Sequence, residues 1–251
     1  MERPSFEYIP RCVAGEGIDS SLLEVDAEGC DCEDDCSAEA GCSCLLGNVD
    51  NYDVERRLMH DRLNAAIPIH ECHDNYACVA IRVCRNRSVQ LGVRRKLEVR
   101  PGLTKGCGLF AGEQLAPGDF VCEYAGELLS AEEVETRSRL GEKHNYVLTL
   151  KENFDDKKLT WFIDPSRRGN LGRFINHSCS ANLHVVPLRI GAFAPVVGLF
   201  ANRAIEIGEE LSYDYGESAL SEGEISLSLK ECLCGAAQCR GFLPMSYTAT
   251  E

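Results

Sequence analysis

Long apolar runs are missing from this chain: none of its stretches approaches the ~18 to 20 apolar residues that cross a bilayer, so a soluble protein with no membrane partner is expected. Its first residues, Met1-Glu2-Arg3-Pro4-Ser5-Phe6-Glu7-Tyr8, hold no apolar core of the secretory kind, so a reducing compartment is expected. Positive charge is scarce, with 26 Lys and Arg against 40 Asp and Glu and a formal charge of -14. Phosphate contacts call for a basic stripe, so a free-standing nucleic-acid binder is not expected, and no direct DNA-binding motif is found. Internal repeats and low-complexity tracts are absent too. The acidic balance suits a basic peptide partner; it equally serves solubility alone, and composition leaves both readings open.

What the chain has in quantity is cysteine, 15 in 251 residues. Eight follow the pattern Cys30-x-Cys32-x3-Cys36-x5-Cys42-x-Cys44, then Cys72-x5-Cys78-x5-Cys84, and three more form Cys232-x-Cys234-x4-Cys239. In a reducing compartment this density points to metal rather than to disulfides, and thiolate-rich sets suit zinc. The C-x-C pairs are too close to act as isolated chelating sites and suit bridging in a cluster. The last three cysteines need a fourth ligand from elsewhere to complete a tetrahedron.

Between these flanks lie short apolar stretches punctuated by glycine: Phe120 to Tyr124, Tyr146 to Leu150, Trp161 to Ile163 and Val196 to Phe200. They predict strands and a mainly β domain. Ser130 with Glu133 three residues on predicts a helix start, with Gly141 as its stop. A second helix is expected over Val54 to Ala65, ending before Pro68.

Four segments carry the chemistry. They are Lys105-Gly106-Cys107-Gly108-Leu109-Phe110, the strand and turn Gly118 to Glu127, the run Asp164 to Asn182 containing Arg173-Phe174-Ile175-Asn176-His177-Ser178-Cys179, and Glu209-Glu210-Leu211-Ser212-Tyr213-Asp214-Tyr215-Gly216. In this order, and with the cysteine flanks, they resemble the SET-domain histone-lysine methyltransferases that carry pre-SET and post-SET zinc modules. The resemblance spans about residues 28–244, and the layout is similar to the methyltransferase portion of SET and mariner-transposase fusion proteins.

The resemblance implies a SET fold, mainly β and β-clip-like with a knotted core. It divides the chain into an N-terminal segment (1–27), a pre-SET module (28–91), a SET catalytic domain (94–216), a linker (217–227) and a post-SET module (228–244). The implied cofactor is S-adenosyl-L-methionine, held by Lys105, Gly106, Cys107, Gly108, Tyr146, Arg173, Asn176 and His177. Tyr215 is implied as the catalytic tyrosine, with Tyr146 beside it and Tyr213 at the position that sets the number of methyl groups added. A tyrosine there implies mono- or dimethylation. The implied substrate is the histone H3 tail on chromatin, in the nucleus, with the heterochromatin-marking lysine first in line; another H3 lysine, a non-histone lysine and a zinc-stabilised scaffold without catalysis are the alternatives.

For metal, the resemblance implies Cys179 as the fourth ligand beside Cys232, Cys234 and Cys239, and a cluster of two or three Zn2+ on Cys30, Cys32, Cys36, Cys42, Cys44, Cys72, Cys78 and Cys84. The family pattern has nine cysteines there. This chain has Tyr76 where the ninth falls, leaving His70, His73 or Cys12 as substitutes, or two four-thiolate sites. It also has Cys107 where a tryptophan is common.

Overall fold

The computed structural model describes residues 6–26, 28–32, 35–63, 69–74, 78, 84–102, 104–140, 146–154, 157–216 and 230–243. In chain order the strands are β1 (Glu7–Tyr8), β2 (Val13–Ala14), β3 (Ile69–His70), β4 (Leu97–Pro101), β5 (Cys107–Ala111), β6 (Phe120–Glu123) and β7 (Gly126–Leu129). The helix α1 (Ala131–Arg139) follows, then β8 (Leu148–Phe154), β9 (Lys157–Gly169), β10 (Asn176–His177), β11 (Leu183–Arg189), β12 (Val196–Ala201) and β13 (Ser212–Tyr213). The fold is mainly β, as the spacing of apolar stretches predicts.

The strands form three sheets. One runs β1-β9-β7-β2 with β8 also on β9, another runs β10-β13-β11-β12-β6 with β3 also on β11, and β4 and β5 make a hairpin. Leu109, Leu115, Val121, Leu128, Ile163 and Leu199 are fully buried in one core that both larger sheets contribute to. In β11, Leu183, Val186 and Leu188 turn inward. A one-residue slip would take Leu183 out of the core it shares with Leu199, and Val186 and Leu188 out of the one they share with Phe200, so the six-residue antiparallel register of β11 with β12 is strongly specified.

The helix α1 starts where the sequence predicts. Ser130 Oγ accepts from the Glu133 N–H at 3.2 Å. The reciprocal half of the capping box does not form: the Ser130 N–H donates to the Glu16 carbonyl, and the Glu133 carboxylate accepts from Arg137 Nε at 2.8 Å. Arg137, 6 % exposed, also reaches Glu127 and Asp164, which ties α1 to β7 and β9. Gly141 lies outside the described residues.

The second helix is corrected. Within residues 54–63 only a 3-10 turn, His60–Arg62, is present. Asp53 accepts from the Glu55 and Arg57 N–H groups, Arg56 takes a φ of 62°, and Tyr52 bridges Leu58, so the chain reverses there. An aspartate that bonds the backbone two residues on competes with helix nucleation, and here it wins. Residues 64 and 65 lie outside the described residues.

The N-terminal segment is woven into the core. β1 pairs in parallel with Arg168 and Gly169, and β2 pairs in parallel with Glu127 and Leu128. Between them the Cys12 N–H donates to Glu123 Oε1 at 3.1 Å, and the Cys12 thiol contacts the Tyr124 carbonyl. Burial raises the Glu123 carboxyl to about 7, against the lowering effects of the Cys12 N–H and the Arg11 charge.

That shift predicts a pH dependence of stability. Glu123 ionises near its ordinary value in the unfolded chain and about 7 in the native one, so between those values the native state binds more protons. Its contribution to stability therefore falls as pH rises through that window, by about 3 kcal/mol in all. Glu123→Gln, which keeps an acceptor for Cys12, is expected to raise stability at pH 8 and to flatten the pH 5–8 trend of urea midpoints relative to wild type. Parallel trends in the two proteins would contradict this.

Candidate active site

The two motif segments meet in the six-stranded sheet. Asn176 pairs with Ser212 and His177 with Tyr213 in parallel, and Leu183 of β11 flanks Tyr213 on its other side. Asn182, 2 % exposed, donates to the Glu210 carbonyl at 2.9 Å and accepts from the Ser212 N–H at 2.8 Å, so its side chain extends the ladder.

Three tyrosines stack where these strands end. Tyr213 and Tyr215 lie 4.6 Å apart between ring centroids, and Tyr124 meets the Tyr213 ring edge-on at 5.9 Å. The Tyr124 hydroxyl donates to the Tyr146 carbonyl at 2.5 Å, and the Tyr215 hydroxyl donates to the Ile175 carbonyl at 2.9 Å. Burial pushes all three phenols up, so they stay protonated at neutral pH. Tyr213 is buried at 5 % exposure while Tyr215 is 41 % exposed, so the cluster opens to solvent on the Tyr215 side.

His177 links this cluster to sulfur. The Tyr215 N–H donates to its Nδ1 at 3.2 Å, which puts the neutral ring's proton on Nε2, and Nε2 lies 3.3 Å from Cys179 Sγ. Burial lowers the His177 pKa, in keeping with a neutral ring.

Glycines bring the loop before β5 close to the motif. Gly106 has a φ of +79°, and a Cβ on Gly108 would meet Glu210 Oε1 at 2.9 Å and the Phe110 ring at 3.0 Å. Asn176 Nδ2 donates to the Cys107 carbonyl at 3.3 Å and to Glu210 Oε1 at 2.8 Å, which commits both amide hydrogens and leaves Oδ1 as the group's acceptor. Lys105 Nζ reaches the other Glu210 oxygen at 2.6 Å.

Arg173, 5 % exposed, is enclosed by the Phe6, Tyr146 and Phe174 rings at 4.2, 4.8 and 5.3 Å. Its buried Nε and Nη1 have no hydrogen-bond partner among the described residues. A buried guanidinium in that condition is costly. The carboxylate of an amino-acid cofactor fits it, and the Asn176 acceptor fits an ammonium group.

The sulfur groups have the dimensions of metal sites. Tetrahedral thiolates on zinc, with Zn–S bonds of about 2.3 Å, stand about 3.8 Å apart. Cys179 and Cys232 are 3.9 Å apart and Cys30 and Cys36 are 3.7 Å apart, and all 15 cysteines are free thiols. Cys179, Cys232, Cys234 and Cys239 form one four-sulfur group within 4.8 Å, which the spacing of the last three cysteines left open by one ligand. The N-terminal cysteines form three overlapping groups: Cys30, Cys42, Cys44, Cys72; Cys30, Cys32, Cys36, Cys42; and Cys30, Cys36, Cys72, Cys78. Burial raises Cys42 and Cys78, Cys78 to about 12, while neighbouring thiols lower Cys84. The thiols cannot all ionise together without a cation among them.

Cys84 lies outside these four-sulfur groups, although its thiol interacts with Cys36 and Cys72. Among the described residues, neither His70, His73 nor Cys12 joins a group: His70 belongs to β3, and Cys12 packs on Glu123 in the central core. Tyr76 lies outside the described residues.

Sequence reasoning missed Tyr124, Glu210 and Phe6. Tyr124 carried a usable signal, being the polar-tipped aromatic that ends the buried run Phe120 to Glu123. Glu210 and Phe6 carried none, since their partners are distant in sequence.

The chain matches the SET domain family over residues 106–216 and the Pre-SET motif over residues 1–87. It is 46% identical over 251 residues to the probable histone-lysine N-methyltransferase set-23 of Caenorhabditis elegans, covering 98% of this chain and 100% of that protein. The crystal structure of the methyltransferase domain of human histone-lysine N-methyltransferase SETMAR superposes with a TM-score of 0.84 at 36% identity, covering 97% of this chain and 91% of that one. KRYPTONITE, in complex with mCHH DNA, an H3(1-15) peptide and SAH, matches with a TM-score of 0.75 at 29% identity over 95% of this chain and 47% of that one.

Metal removal gives the test of the sulfur groups. A strong chelator under reducing conditions is expected to raise amide exchange in residues 35–63, 84–92 and 230–243 before β6, β7, β9 and β12 lose protection. Equal protection of all these regions would contradict it.

Proposed function

The chain belongs to the SET-domain histone-lysine N-methyltransferases, S-adenosylmethionine-dependent enzymes, and on that footing we propose that it adds one or two methyl groups to a lysine of the histone H3 tail. The heterochromatin-marking lysine is the first candidate, and a nuclear, chromatin-bound enzyme is the corresponding setting. The observation that carries the reading is the tyrosine stack, with buried Tyr213 between Tyr124 and Tyr215. The H3 peptide bound by KRYPTONITE supports the choice of substrate. A basic peptide suits the charge of -14, and addition as an extra strand beside the core sheet suits an extended tail.

S-adenosylmethionine supplies a methyl group on a sulfonium, which passes in line to a neutral amine. The chain's own residues align that amine and favour its neutral form. Aromatic faces admit a cation, and confinement between them disfavours the charge. Tyr215, a phenol that stays protonated, orients the amine rather than acting as a base. The Tyr213 hydroxyl takes up the room that a third methyl group would need. Arg173, Asn176, His177 and the Lys105 to Gly108 loop are the cofactor's holding groups, with Tyr146 beside them, and Glu210 positions both Lys105 and Asn176.

For the metal we assign three zinc ions to the N-terminal cluster and one to the C-terminal group. All three N-terminal four-sulfur groups include Cys30, so two private four-thiolate sites are disfavoured and thiolates must be shared. Three tetrahedral ions need about twelve bonds, which eight thiolates supply when four of them bridge and Cys84 joins through its contacts with Cys36 and Cys72. Native mass spectrometry of the holoprotein is expected to read four zinc ions per chain; three in total would support two N-terminal ions instead.

Mass spectrometry of H3 tail peptides incubated with the zinc-loaded protein and S-adenosylmethionine tests the reaction. Expected are gains of one or two methyl groups, a loss of at least about a hundredfold in rate for Tyr215→Phe, and further methylation by Tyr213→Phe. A trimethylated product from wild type would overturn the reading of Tyr213, and no gain on any H3 peptide would move the substrate elsewhere.

A further inference from the structure

We infer that the N-terminal segment is a working wall of the cofactor site, with Phe6 as a positioning residue that holds the Arg173 guanidinium. The inference rests on the reading that Arg173 faces the cofactor. It adds a residue from outside the motif segments to that site.

The Phe6 ring lies 4.2 Å from the Arg173 guanidinium carbon, closer than the Tyr146 and Phe174 rings, and it meets Phe174 edge-on at 5.9 Å. It is held there by the residues that follow it. The Ile9 N–H donates to the Gly169 carbonyl at 2.8 Å, the Glu7 carboxylate lies 3.0 Å from Arg168 Nε, and Ile9 is buried. These contacts fall on the last residues of β9, a few positions before Arg173. The strand that follows Phe6 is therefore registered directly on the strand that leads into Arg173.

The chemistry explains why a ring is needed at this point. Arg173 is buried with Nε and Nη1 unpartnered among the described residues, and burial lowers its pKa. Aromatic faces stabilise the cation without using its hydrogens. The donors stay free for an anionic group while the rings fix the plane in which they point. A carboxylate side chain at position 6 would compensate the charge equally well, but it would occupy the donors. The three rings thus keep Arg173 charged, immobile and unsatisfied until a carboxylate arrives.

The same geometry separates Phe6 from general packing. Its nearer partner is the Arg173 guanidinium, with the Phe174 ring beyond it, so its removal is expected to act on cofactor affinity more than on peptide affinity or on folding.

The experiment uses the full-length, zinc-loaded protein and calorimetric binding of S-adenosylmethionine and S-adenosylhomocysteine. Phe6→Leu, which keeps bulk and removes the π face, is expected to weaken both ligands about fivefold, with the peptide KM unchanged. Phe6→Tyr is expected to restore binding to within about twofold of wild type. In an Arg173→Gln background, Phe6→Leu is expected to have no further effect on cofactor affinity. Phe6→Leu binding both ligands as tightly as wild type would overturn the inference, as would an equal loss in the Arg173→Gln background. A fall in thermal midpoint and peptide affinity that Phe6→Tyr does not rescue would show that Phe6 is only packing. If wild type itself binds neither ligand, the cofactor reading of Arg173 fails, and the inference falls with it.

Discussion

The parallel pairing of Asn176 and His177 with Ser212 and Tyr213 is the constraint on which the site depends. Two-residue strands contribute little by themselves, and parallel strands distant in sequence must be brought together at an entropic cost. The chain offsets that cost locally. Leu183 flanks Tyr213, the Ser178 N–H donates to the Tyr213 carbonyl at 3.2 Å, and Asn182 bonds both the Glu210 carbonyl and the Ser212 N–H. With this seam in place, Tyr213, Tyr215, His177 and Asn176 follow within a few ångströms. Without it, each motif would be an ordinary loop.

The rest of the site is assembled by groups whose demands are only partly met by protein. Arg173 has donors to spare, Asn176 has an acceptor to spare, and the thiol groups are crowded beyond what simultaneous ionisation allows. Each incomplete set has a different chemical complement: an amino-acid carboxylate, an ammonium and a soft divalent cation. The phenols are the opposite case, since the Tyr124 and Tyr215 hydroxyls already donate to carbonyls and so are fixed before any ligand arrives. A site that presents fixed phenols beside unsatisfied ionic groups is suited to orienting a reaction rather than to supplying protons for it.

Much of this was legible from the sequence because the informative residues sit in short contiguous runs. The helix cap at Ser130, the strands at Phe120 and Val196 and the Asn176 to Cys179 run all rest on local spacing, and local spacing survives folding. The failures have the opposite character. A helix is expected over Val54 to Ala65, ending before Pro68, yet Asp53 binds two backbone N–H groups and turns the chain. The pairing of β1 and β2 with the core was invisible, since two residues carry no periodicity. Glu210 and Phe6 matter through partners far away in the chain, and no window of sequence contains both ends of such a contact.

The contact between His177 and Cys179 sets an order of events during synthesis. Cys179 is made well before Cys232, Cys234 and Cys239, and the four sulfurs converge only once Cys239 has left the ribosome. Until then the Cys179 thiol, 3.3 Å from the ring that accepts the Tyr215 N–H, lacks the neighbours that would hold its charge. The sulfur group beside His177 therefore closes only after residue 239 has been made, and a ribosome stalled before it leaves Cys179 without its three partner sulfurs.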